Sequence, residues 1–383
     1  MNAREHEALH LMNVYGHLPI EPTAADGVYL TCGNRQIMDL YGGHAVAALG
    51  YGHPDMLKAL NKQAKSVFFQ SNAVAMEVRA EAAEALANFA PDGLDHVFFA
   101  NSGAEANENA LRLACKLTGR NRVAAIEHGF HGRTAAAGAV TWGSKDSWYG
   151  FPNTPFDVDF IGRNNVDAIN KAISDDTAAV ILELVQGLAG AFDLDTAFVQ
   201  AISKRCEEKG ALLIIDEVQS GMGRCGTAFA TDLYDIKPNI LTSAKSLAGG
   251  FPCGALLVDA DINAAAKPGD LGSTFGGGPL ACALIKTVIE VIQRDRLMQN
   301  VRVLAGFITA QTPAGPVKSI QGKGFLMGLK TSRPAIEVRN ELLEHDILVG
   351  TSADPNVLRL LPPLTVEERH ITKLMNVLAE LPA

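Results

Sequence analysis

Short, continuous apolar runs are the feature of this 383-residue sequence that most limits its possible folds. Their aliphatic residues lack the alternation typical of a strand with one solvated face, so each run predicts a strand covered on both faces. Helical patterns separate several of them, which favours an α/β fold with a mostly parallel sheet and helices on both sides. The runs are DHVFFA (95–100), RVAAIE (122–127), AAVILELV (178–185), ALLIIDEV (211–218), NILTSA (239–244) and GALLVDA (254–260).

Smaller units are predicted at both ends of the chain. The stretch GVYLTCGNRQIMDL indicates a hairpin with Gly33-Asn34 at its turn. We therefore expect an N-terminal segment (1–45) that packs with the small domain, a large domain (46–285) and a small α+β domain (286–383). Helices are predicted at 54–68, 75–89, 102–117 and 280–294, and C-terminal strands near 319–329 and 356–361.

The charge balance argues against some classes of partner. Asp and Glu total 42 against 33 Lys and Arg, a net charge of −9, whereas nucleic acid or an anionic membrane requires a basic face. No apolar run reaches about 18 residues, the length that a membrane span needs. The polar, acidic start MNAREHEALHL differs from a secretion signal, so a cytoplasmic location is expected. The six cysteines contain no CxxC pair, so we expect no metal site.

Lys245 is the only charged residue in the stretch NILTSAKSLAGGFPCGALLV, from Asn239 to Val258. Two interpretations are open from the local sequence. The ammonium group extends from a buried segment to solvent, or desolvation lowers its pKa so that the amine acts as a nucleophile.

Polar residues follow three of the predicted strands. Ser102 lies just after the first run, Asp216 ends ALLII, and Lys245 follows NILTSA. The carboxyl ends of parallel strands meet at one edge, where ligands bind. A helix beginning with Ser102, Gly103 and Ala104 offers N–H groups to a phosphate ester. A carboxylate, a lysine and a phosphate cradle together match the needs of pyridoxal 5′-phosphate, because the carboxylate keeps the ring nitrogen protonated and the lysine binds the aldehyde.

Two other motifs point to different chemistry. Gly221–Gly226 matches GxGxxG, so a nicotinamide dehydrogenase is the alternative from another class, but DEVQS separates it from the strand and no helix start follows. The run LLIIDE resembles the acidic strand of a nucleoside triphosphatase, yet no GxxxxGK[ST] loop is present. Asp216 and Glu217 are adjacent, so they should face opposite sides of the strand rather than form one catalytic pair.

Six separated motifs, from about Tyr15 to the C-terminus, resemble those of the class III (ornithine-type) pyridoxal-phosphate aminotransferases. The resemblance implies a fold-type-I transferase with a seven-stranded, mostly parallel sheet and a smaller α+β C-terminal domain. It also implies an obligatory homodimer with active sites at the subunit interface. The motifs are NSGAEANENALRLA, GFHGRT, LLIIDEVQSGMGRCG, LTSAKSLAGGFPCGA, GSTFGGGPLAC and VLRLLPPL.

The resemblance assigns a role to each matching position around the cofactor. Lys245 is implied to be the Schiff-base lysine and proton shuttle, and Asp216 the partner of the pyridine nitrogen. The remaining positions are implied to hold the ring or its phosphate: Ser102, Gly103 and Ala104 at the phosphate, Phe130 and Val218 on the ring faces, Gln219 near the phenolic oxygen, and Thr274 at the phosphate of the neighbouring subunit.

For the substrates, the resemblance implies transfer of the terminal amino group of N2-acetylornithine to 2-oxoglutarate. Succinylornithine, free ornithine and other ω-amines fit the same residues. Arg133 is implied to bind the carboxylate far from the reacting amine and Arg359 the α-carboxylate of glutamate, as the planar guanidinium fork suits carboxylates. Ser273 and Tyr15 complete the expected substrate site.

One departure from the family affects Arg359. The family commonly has EPVQGE where this chain reads ELVQGL, from Glu183 to Leu188. The second glutamate of the common motif pairs with the arginine at position 359 and covers it while the amine donor binds. Leu188 cannot form that pair, so we expect Arg359 to be uncovered in both half-reactions or to swing away.

Overall fold

The computed structural model describes residues 3–383 and has an α/β architecture. The strands are β1 (Ala24–Asp26), β2 (Tyr29–Cys32), β3 (Arg35–Asp39), β4 (His96–Ala100), β5 (Arg122–Ile126), β6 (Asp157–Ile161), β7 (Thr177–Leu182), β8 (Val185–Gln186), β9 (Phe192–Asp193), β10 (Leu212–Asp216), β11 (Ile240–Ser243), β12 (Gly254–Val258), β13 (Val317–Lys323), β14 (Leu326–Thr331), β15 (Ile347–Leu348), β16 (Gly350–Thr351) and β17 (Val357–Leu360).

Helices connect and cover these strands. They are α1 (Ala3–His10), α2 (Gly42–Ala45), α3 (Pro54–Ser66), α4 (Glu77–Phe89), α5 (Gly103–Thr118), α6 (Ala135–Ala139), α7 (Val166–Ala172), α8 (Thr196–Lys209), α9 (Ala260–Ala265), α10 (Pro279–Arg294), α11 (Leu297–Ala310), α12 (Ala335–Glu344) and α13 (Glu368–Glu380), with 3₁₀ turns at Ala230–Leu233 and Lys245–Ala248. The residues of α2 have positive φ, so this element is a single left-handed turn.

The central sheet has seven strands in the order β4-β12-β11-β10-β7-β5-β6. Only β12 runs against its neighbours β11 and β4, so the predicted mostly parallel sheet is confirmed. The strand β6 has no counterpart among the apolar runs, because its sequence DVDFI alternates polar and apolar residues. The run AAVILELV is shorter as a strand than predicted, because β7 ends at Leu182 and Val185 begins a separate two-stranded ribbon.

Alternate residues of one strand enter different hydrophobic cores. In β7, Val180 and Leu182 pack in one cluster with α7 and α8, whereas Ala179 and Ile181 pack in another with α5 and α6. All four residues are fully buried. The continuous apolar pattern therefore reflects coverage of the sheet on both faces, as predicted.

Two smaller four-stranded sheets lie outside the central sheet. The hairpin β2–β3 turns at Gly33-Asn34 as predicted, and β3 pairs in parallel with β15, in the order β1-β2-β3-β15. The other sheet has the order β13-β14-β17-β16. The region expected to be one strand near 319–329 is a hairpin, with Gly324 at φ 54° in its turn. Helix α10 continues across position 285, and the three domain limits stay predictions.

Two further observations concern the described part of the chain. No helix in residues 3–383 is both long and apolar enough to cross a membrane. All six cysteines are free thiols, four of them buried.

Candidate active site

A cavity of about 450 Å³ opens at the carboxyl edge of the central sheet. The strands β4, β10 and β11 end there, and Ser102, Asp216 and Lys245, which follow or end those strands, all line the cavity. The antiparallel strand β12 begins at the same edge, so the loop before it, with Cys253, also contributes to the wall. The predicted meeting of three strand ends is thus present in the structure.

The N-terminus of α5 forms one end of the cavity. Ser102 caps the helix, because its Oγ accepts a hydrogen bond from Glu105 N at 3.2 Å. The Glu105 carboxylate accepts from Asn101 N and Nδ2 rather than from the cap residue. A Cβ at Gly103 would lie 2.7 Å from Val218 Cγ1, so only glycine lets the first turn approach the opposite wall. The first N–H groups of α5 and its positive dipole end therefore face a space suited to an anion.

Asp216 is buried but extensively hydrogen-bonded. Its Oδ2 accepts from Asn107 Nδ2 and is bonded to His131 Nδ1, both at 2.7 Å, and its Oδ1 accepts from Val218 N at 3.0 Å. These three hydrogen bonds fix the position of the carboxylate at the cavity wall. Its neighbour Glu217 lies outside the cavity lining, so the prediction that the two carboxylates do not share a site is confirmed.

Lys245 begins a 3₁₀ turn immediately after β11, with φ of 48°. This left-handed conformation is strained for a residue with a side chain. Burial lowers the pKa of Lys245, while the nearby carboxylates of Glu183 and Asp216 oppose that shift. The lowered pKa increases the fraction of neutral amine, so the nucleophile interpretation of the isolated lysine is favoured over a lysine that simply reaches solvent.

Glu183 is a second buried carboxylate in the cavity wall. It accepts hydrogen bonds from Phe130 N at 2.9 Å and from Gly187 N at 3.1 Å, which fixes the loop that carries the Phe130 ring. Burial raises the pKa of Glu183, and the charge of Asp216 raises it further. Glu183 therefore positions the aromatic wall of the cavity.

Gln219 leaves one polar atom in the cavity unused. Its Oε1 is buried and without a hydrogen-bond partner in the described chain. A Cβ at Gly187 would overlap this amide, so glycine is required opposite it. The side chain lines the same cavity as Lys245 and Val218, where a ligand can supply the missing hydrogen bond.

The two arginines assigned to substrates lie in contrasting surroundings. Arg133 lines the cavity, is exposed, and places its Cζ 4.8 Å from the centre of the Trp148 ring. Arg359 is only 3% exposed and is absent from the cavity lining. Its Nε donates to Thr351 O at 2.7 Å, Nη1 to Gly187 O at 3.3 Å, and Nη2 to the Tyr41 hydroxyl at 2.9 Å.

Three other predicted site residues are outside this chain's cavity. Ser273 Oγ accepts from Asn101 Nδ2 at 3.2 Å and from Gly276 N at 2.9 Å, so it is held next to the N-terminus of α5. Thr274 is exposed, and Tyr15 is 78% exposed. The roles of all three stay predictions.

The residues present fit pyridoxal 5′-phosphate. A phosphate suits the α5 N-terminus, a ring N–H suits the Asp216 carboxylate, and the unpaired Gln219 oxygen has room for a partner. Phe130 and Val218 are placed to cover a flat ring, and Lys245 offers its amine. Together with the seven-stranded sheet, these features define a pyridoxal-phosphate enzyme of fold type I.

Comparison with known proteins agrees with this class. Residues 12–381 match the family model described as aminotransferase class-III, and the chain belongs to the class III aminotransferases, which use pyridoxal phosphate. Curated relatives include the acetylornithine aminotransferases of Methanopyrus kandleri (40% identical, covering 99% of this chain and 98% of the relative) and of Bacillus subtilis (38% identical, 97% of each).

Solved structures show the same architecture. The acetylornithine aminotransferase of Elizabethkingia anophelis has a TM-score of 0.87 and 28% identity, over 98% of this chain and 97% of that one. The ornithine aminotransferase of Toxoplasma gondii has a TM-score of 0.92 and 26% identity, over 98% of this chain and 93% of that one.

Sequence reasoning missed several residues that shape the site. Asn107 and His131 bind Asp216, and Glu183 orders Phe130, but none of them was assigned to the cofactor site. Asn107 and His131 lie inside motifs that carry the resemblance, whereas Glu183 begins the segment that departs from it; all three are buried polar residues. Because buried polar side chains need hydrogen-bond partners, polar residues within otherwise apolar segments were the sequence signal that could have identified them. Tyr41, the partner of Arg359, gave no comparable signal.

Proposed function

We propose that this chain transfers the terminal amino group of N2-acetylornithine to 2-oxoglutarate, giving N-acetylglutamate semialdehyde and glutamate, a step of arginine biosynthesis. The names of its full-length relatives support the acylated donor. The observation that carries the proposal is the pairing of Lys245 and Asp216 in one cavity with an uncommitted Arg133.

The residues of the chain divide the chemistry among them. Bound pyridoxal phosphate supplies an electron sink that lets a proton leave the carbon attached to nitrogen. Lys245 carries that proton, because burial lowers its pKa and so increases the fraction of neutral amine that can accept a proton. Asp216 holds the charge at the far side of the ring, and the α5 N-terminus anchors the phosphate.

Arg133 is the residue that suits a carboxylate far from the reacting nitrogen. Its guanidinium stacks on Trp148 and forms no ion pair within residues 3–383, so its fork is open to a ligand. N2-acetylornithine carries such a carboxylate at the end opposite its amine. The side-chain carboxylate of glutamate extends in the same direction when its α-amine reacts. Both substrates can therefore use Arg133.

The carboxylates of the cavity favour an acylated donor over free ornithine. The α-ammonium of free ornithine requires an anionic partner near Arg133. In the described chain, the two carboxylates of the lining are Asp216 and Glu183, and both are already hydrogen-bonded at the cofactor end. An N-acetyl group needs no such partner.

A homodimer and a cytoplasmic location are part of the proposal. Two exposed aromatic residues lie next to Thr274 along the chain or on its neighbour: Phe275 is 65% exposed, and Phe69, 42% exposed, packs on Phe275 with ring centroids 5.3 Å apart. An apolar surface of this kind supports a protein interface, which would bring Thr274 to the partner's phosphate. Six free thiols favour a reducing compartment.

A panel of amine donors with 2-oxoglutarate tests the substrate, with glutamate formation as the readout. Acetylornithine should rank at or near the top by kcat/KM. The substrate assignment is wrong if lysine, 4-aminobutyrate or free ornithine leads by a wide margin. The holoenzyme should be yellow, which bound nicotinamide would not produce.

Mixed dimers test the shared site. Lys245→Ala and Thr274→Asp should each have little activity alone, because one lacks the amine and the other repels phosphate. Subunits exchanged between the two variants should regain activity, since one site of each mixed dimer then contains neither substitution. Failure of the mixture to exceed both parents would exclude a contribution of Thr274 across the interface.

A further inference from the structure

Arg359 is held by neutral groups alone. Its acceptors are two backbone carbonyls and the Tyr41 hydroxyl, and no carboxylate in residues 3–383 lies within ion-pair distance of it. At the position of the family's glutamate, Leu188 is 41% exposed and contributes its carbonyl to Ala353 N. Arg359 is held in place in this structure without that glutamate, and its movement when the amine donor binds stays a prediction.

Nor is Arg359 uncovered, because the Tyr41 ring lies against it. Arg359 Cζ is 5.4 Å from the ring centre, and the guanidinium has almost no contact with solvent. A Cβ at Gly350 would overlap the Tyr41 ring, so glycine makes room for this placement. A substrate carboxylate must therefore displace Tyr41 to reach the guanidinium.

His44 holds the other side of the Tyr41 hydroxyl. The hydroxyl accepts from Arg359 Nη2, which leaves its proton free to bind His44 Nδ1 at 2.6 Å. His44 belongs to the left-handed turn α2, where it and Ala45 have φ of 65° and 67°. Such angles are unfavourable for residues with a side chain. The turn next to Tyr41 is therefore strained, which is typical of segments that move at functional sites.

We propose that Tyr41, supported by His44, is a neutral gate on Arg359 that replaces an ionic one and sets the affinity for the dicarboxylate substrates. In the closed state the Tyr41 hydroxyl accepts the hydrogen bond from Arg359 Nη2. The incoming carboxylate replaces the hydroxyl as the acceptor. Breaking a neutral–charged hydrogen bond requires less free energy than separating a buried ion pair. The gate therefore opens readily for glutamate and 2-oxoglutarate.

This inference rests on the proposed function only for the assignment of Arg359 to the carboxylate next to the reacting centre. It can be tested without an acylornithine. Glutarate has the carbon spacing of 2-oxoglutarate but no reacting group, so its binding to the holoenzyme reports the gate alone. A wrong amine donor would leave this measurement unaffected.

Tyr41→Phe is the main variant, because it keeps the ring and removes the hydroxyl. Glutarate should bind about fivefold to tenfold more tightly by calorimetry, since no hydrogen bond to a charged group has to be broken. The KM for 2-oxoglutarate should fall in parallel. The single-turnover rate with acetylornithine should stay within about twofold, because that donor does not displace Tyr41.

His44→Asn tests whether the hydrogen bond from the Tyr41 hydroxyl to His44 supports the gate. Asparagine is chosen because it tolerates left-handed backbone angles. It should tighten glutarate binding by about twofold and should have no further effect in the Tyr41→Phe background, because both substitutions act through one hydroxyl. Tyr29→Phe is the matched control, since Tyr29 also packs against a histidine, His370, but in a different cluster. It should leave glutarate binding unchanged.

Three results would overturn the gate. Weaker glutarate binding by Tyr41→Phe would show that Tyr41 binds the substrate directly. Unchanged binding would show that the hydroxyl has no effect on the affinity. Additive effects of the two substitutions would separate His44 from the hydroxyl. Because His44 is exposed, its variant should fold even if Tyr41→Phe does not.

Discussion

Arg133 and Arg359 offer the same functional group to carboxylates in opposite ways. Arg133 is exposed and stacks on Trp148, so its donors are available to any ligand that reaches the cavity. Arg359 is buried, fixed by three hydrogen bonds and covered by Tyr41. An open arginine suits a carboxylate that both substrates carry, whereas a covered one suits a carboxylate that only one of them brings near the reacting centre.

Lys245→Ala should have the largest effect, because it removes the amine on which the reaction of both substrates depends. Turnover with every substrate pair should fall by more than about 10⁴-fold, while the protein remains folded. Glutamate formation and circular dichroism measure the two quantities. Lys318→Ala, at an exposed lysine, is the control and should keep full activity. Residual turnover near the wild-type rate would assign the nucleophile to another residue.

Arg133→Gln should weaken both substrates. Losing a bidentate, charge-assisted contact lowers kcat/KM by about 100-fold for acetylornithine and for 2-oxoglutarate alike. Arg133→Lys should recover part of the loss, since it restores the charge without the fork. If only one substrate is affected, Arg133 does not serve the carboxylate common to the two.

Arg359→Gln should separate the half-reactions. We expect kcat/KM for 2-oxoglutarate to fall by about 30-fold, with the acetylornithine half-reaction within about threefold of wild type. Stopped-flow spectra of each half-reaction give the two rates. Equal losses in both would mean that Arg359 supports the site rather than selects the substrate.

Leu188→Glu should introduce a carboxylate that can form an ion pair with Arg359. A carboxylate at this position competes with the substrate, so kcat/KM for glutamate should fall by about fivefold relative to acetylornithine. The measured quantity is the ratio of the two specificity constants. An unchanged ratio would show that position 188 does not reach Arg359.

The smallest expected effect is on the titration of Lys245. Capture of pyridoxal phosphate by the apoprotein needs the neutral amine, so its rate rises with pH through the lysine pKa. Burial lowers this pKa most, and the positive charge of Arg359 lowers it further, against the carboxylates of Glu183 and Asp216. Arg359→Gln removes a positive charge, so the midpoint should move to higher pH. Arg133→Gln should leave the midpoint pH unchanged. Equal shifts of the midpoint in the two variants would show that the two arginines do not differ in their effect on Lys245.

The sequence was sufficient to predict the elements that depend on local pattern and chain direction. Continuous apolar runs predicted six of the seven central strands, and β6 was missed because an edge strand with alternating polar residues lacks that pattern. The convergence of Ser102, Asp216 and Lys245 followed from the rule that parallel strands end at one edge. It needed no knowledge of side-chain positions.

Contacts between distant side chains were beyond the same reasoning. Tyr41 and Arg359 are 318 positions apart, and no periodicity relates them. The bonds from Asn107 and His131 to Asp216 depend on rotamers and on how closely helices approach the sheet. The notion that Leu188 leaves Arg359 uncovered failed for this reason, since the replacement cover comes from another part of the chain.

The parallel pairing of β3 with β15 also affects how this protein is made. During synthesis the hairpin β2–β3 leaves the ribosome long before Ile347 and Leu348 exist, so the edge of β3 is unpaired while most of the chain is translated. The backbone hydrogen bond from Leu361 N to Leu40 O likewise connects an N-terminal segment to a C-terminal one. A nascent chain that stops before β17 thus contains the lysine and the aspartate but lacks the covered arginine. Under the proposed role of Arg359, binding of the dicarboxylate substrate then depends on release of the completed C-terminus.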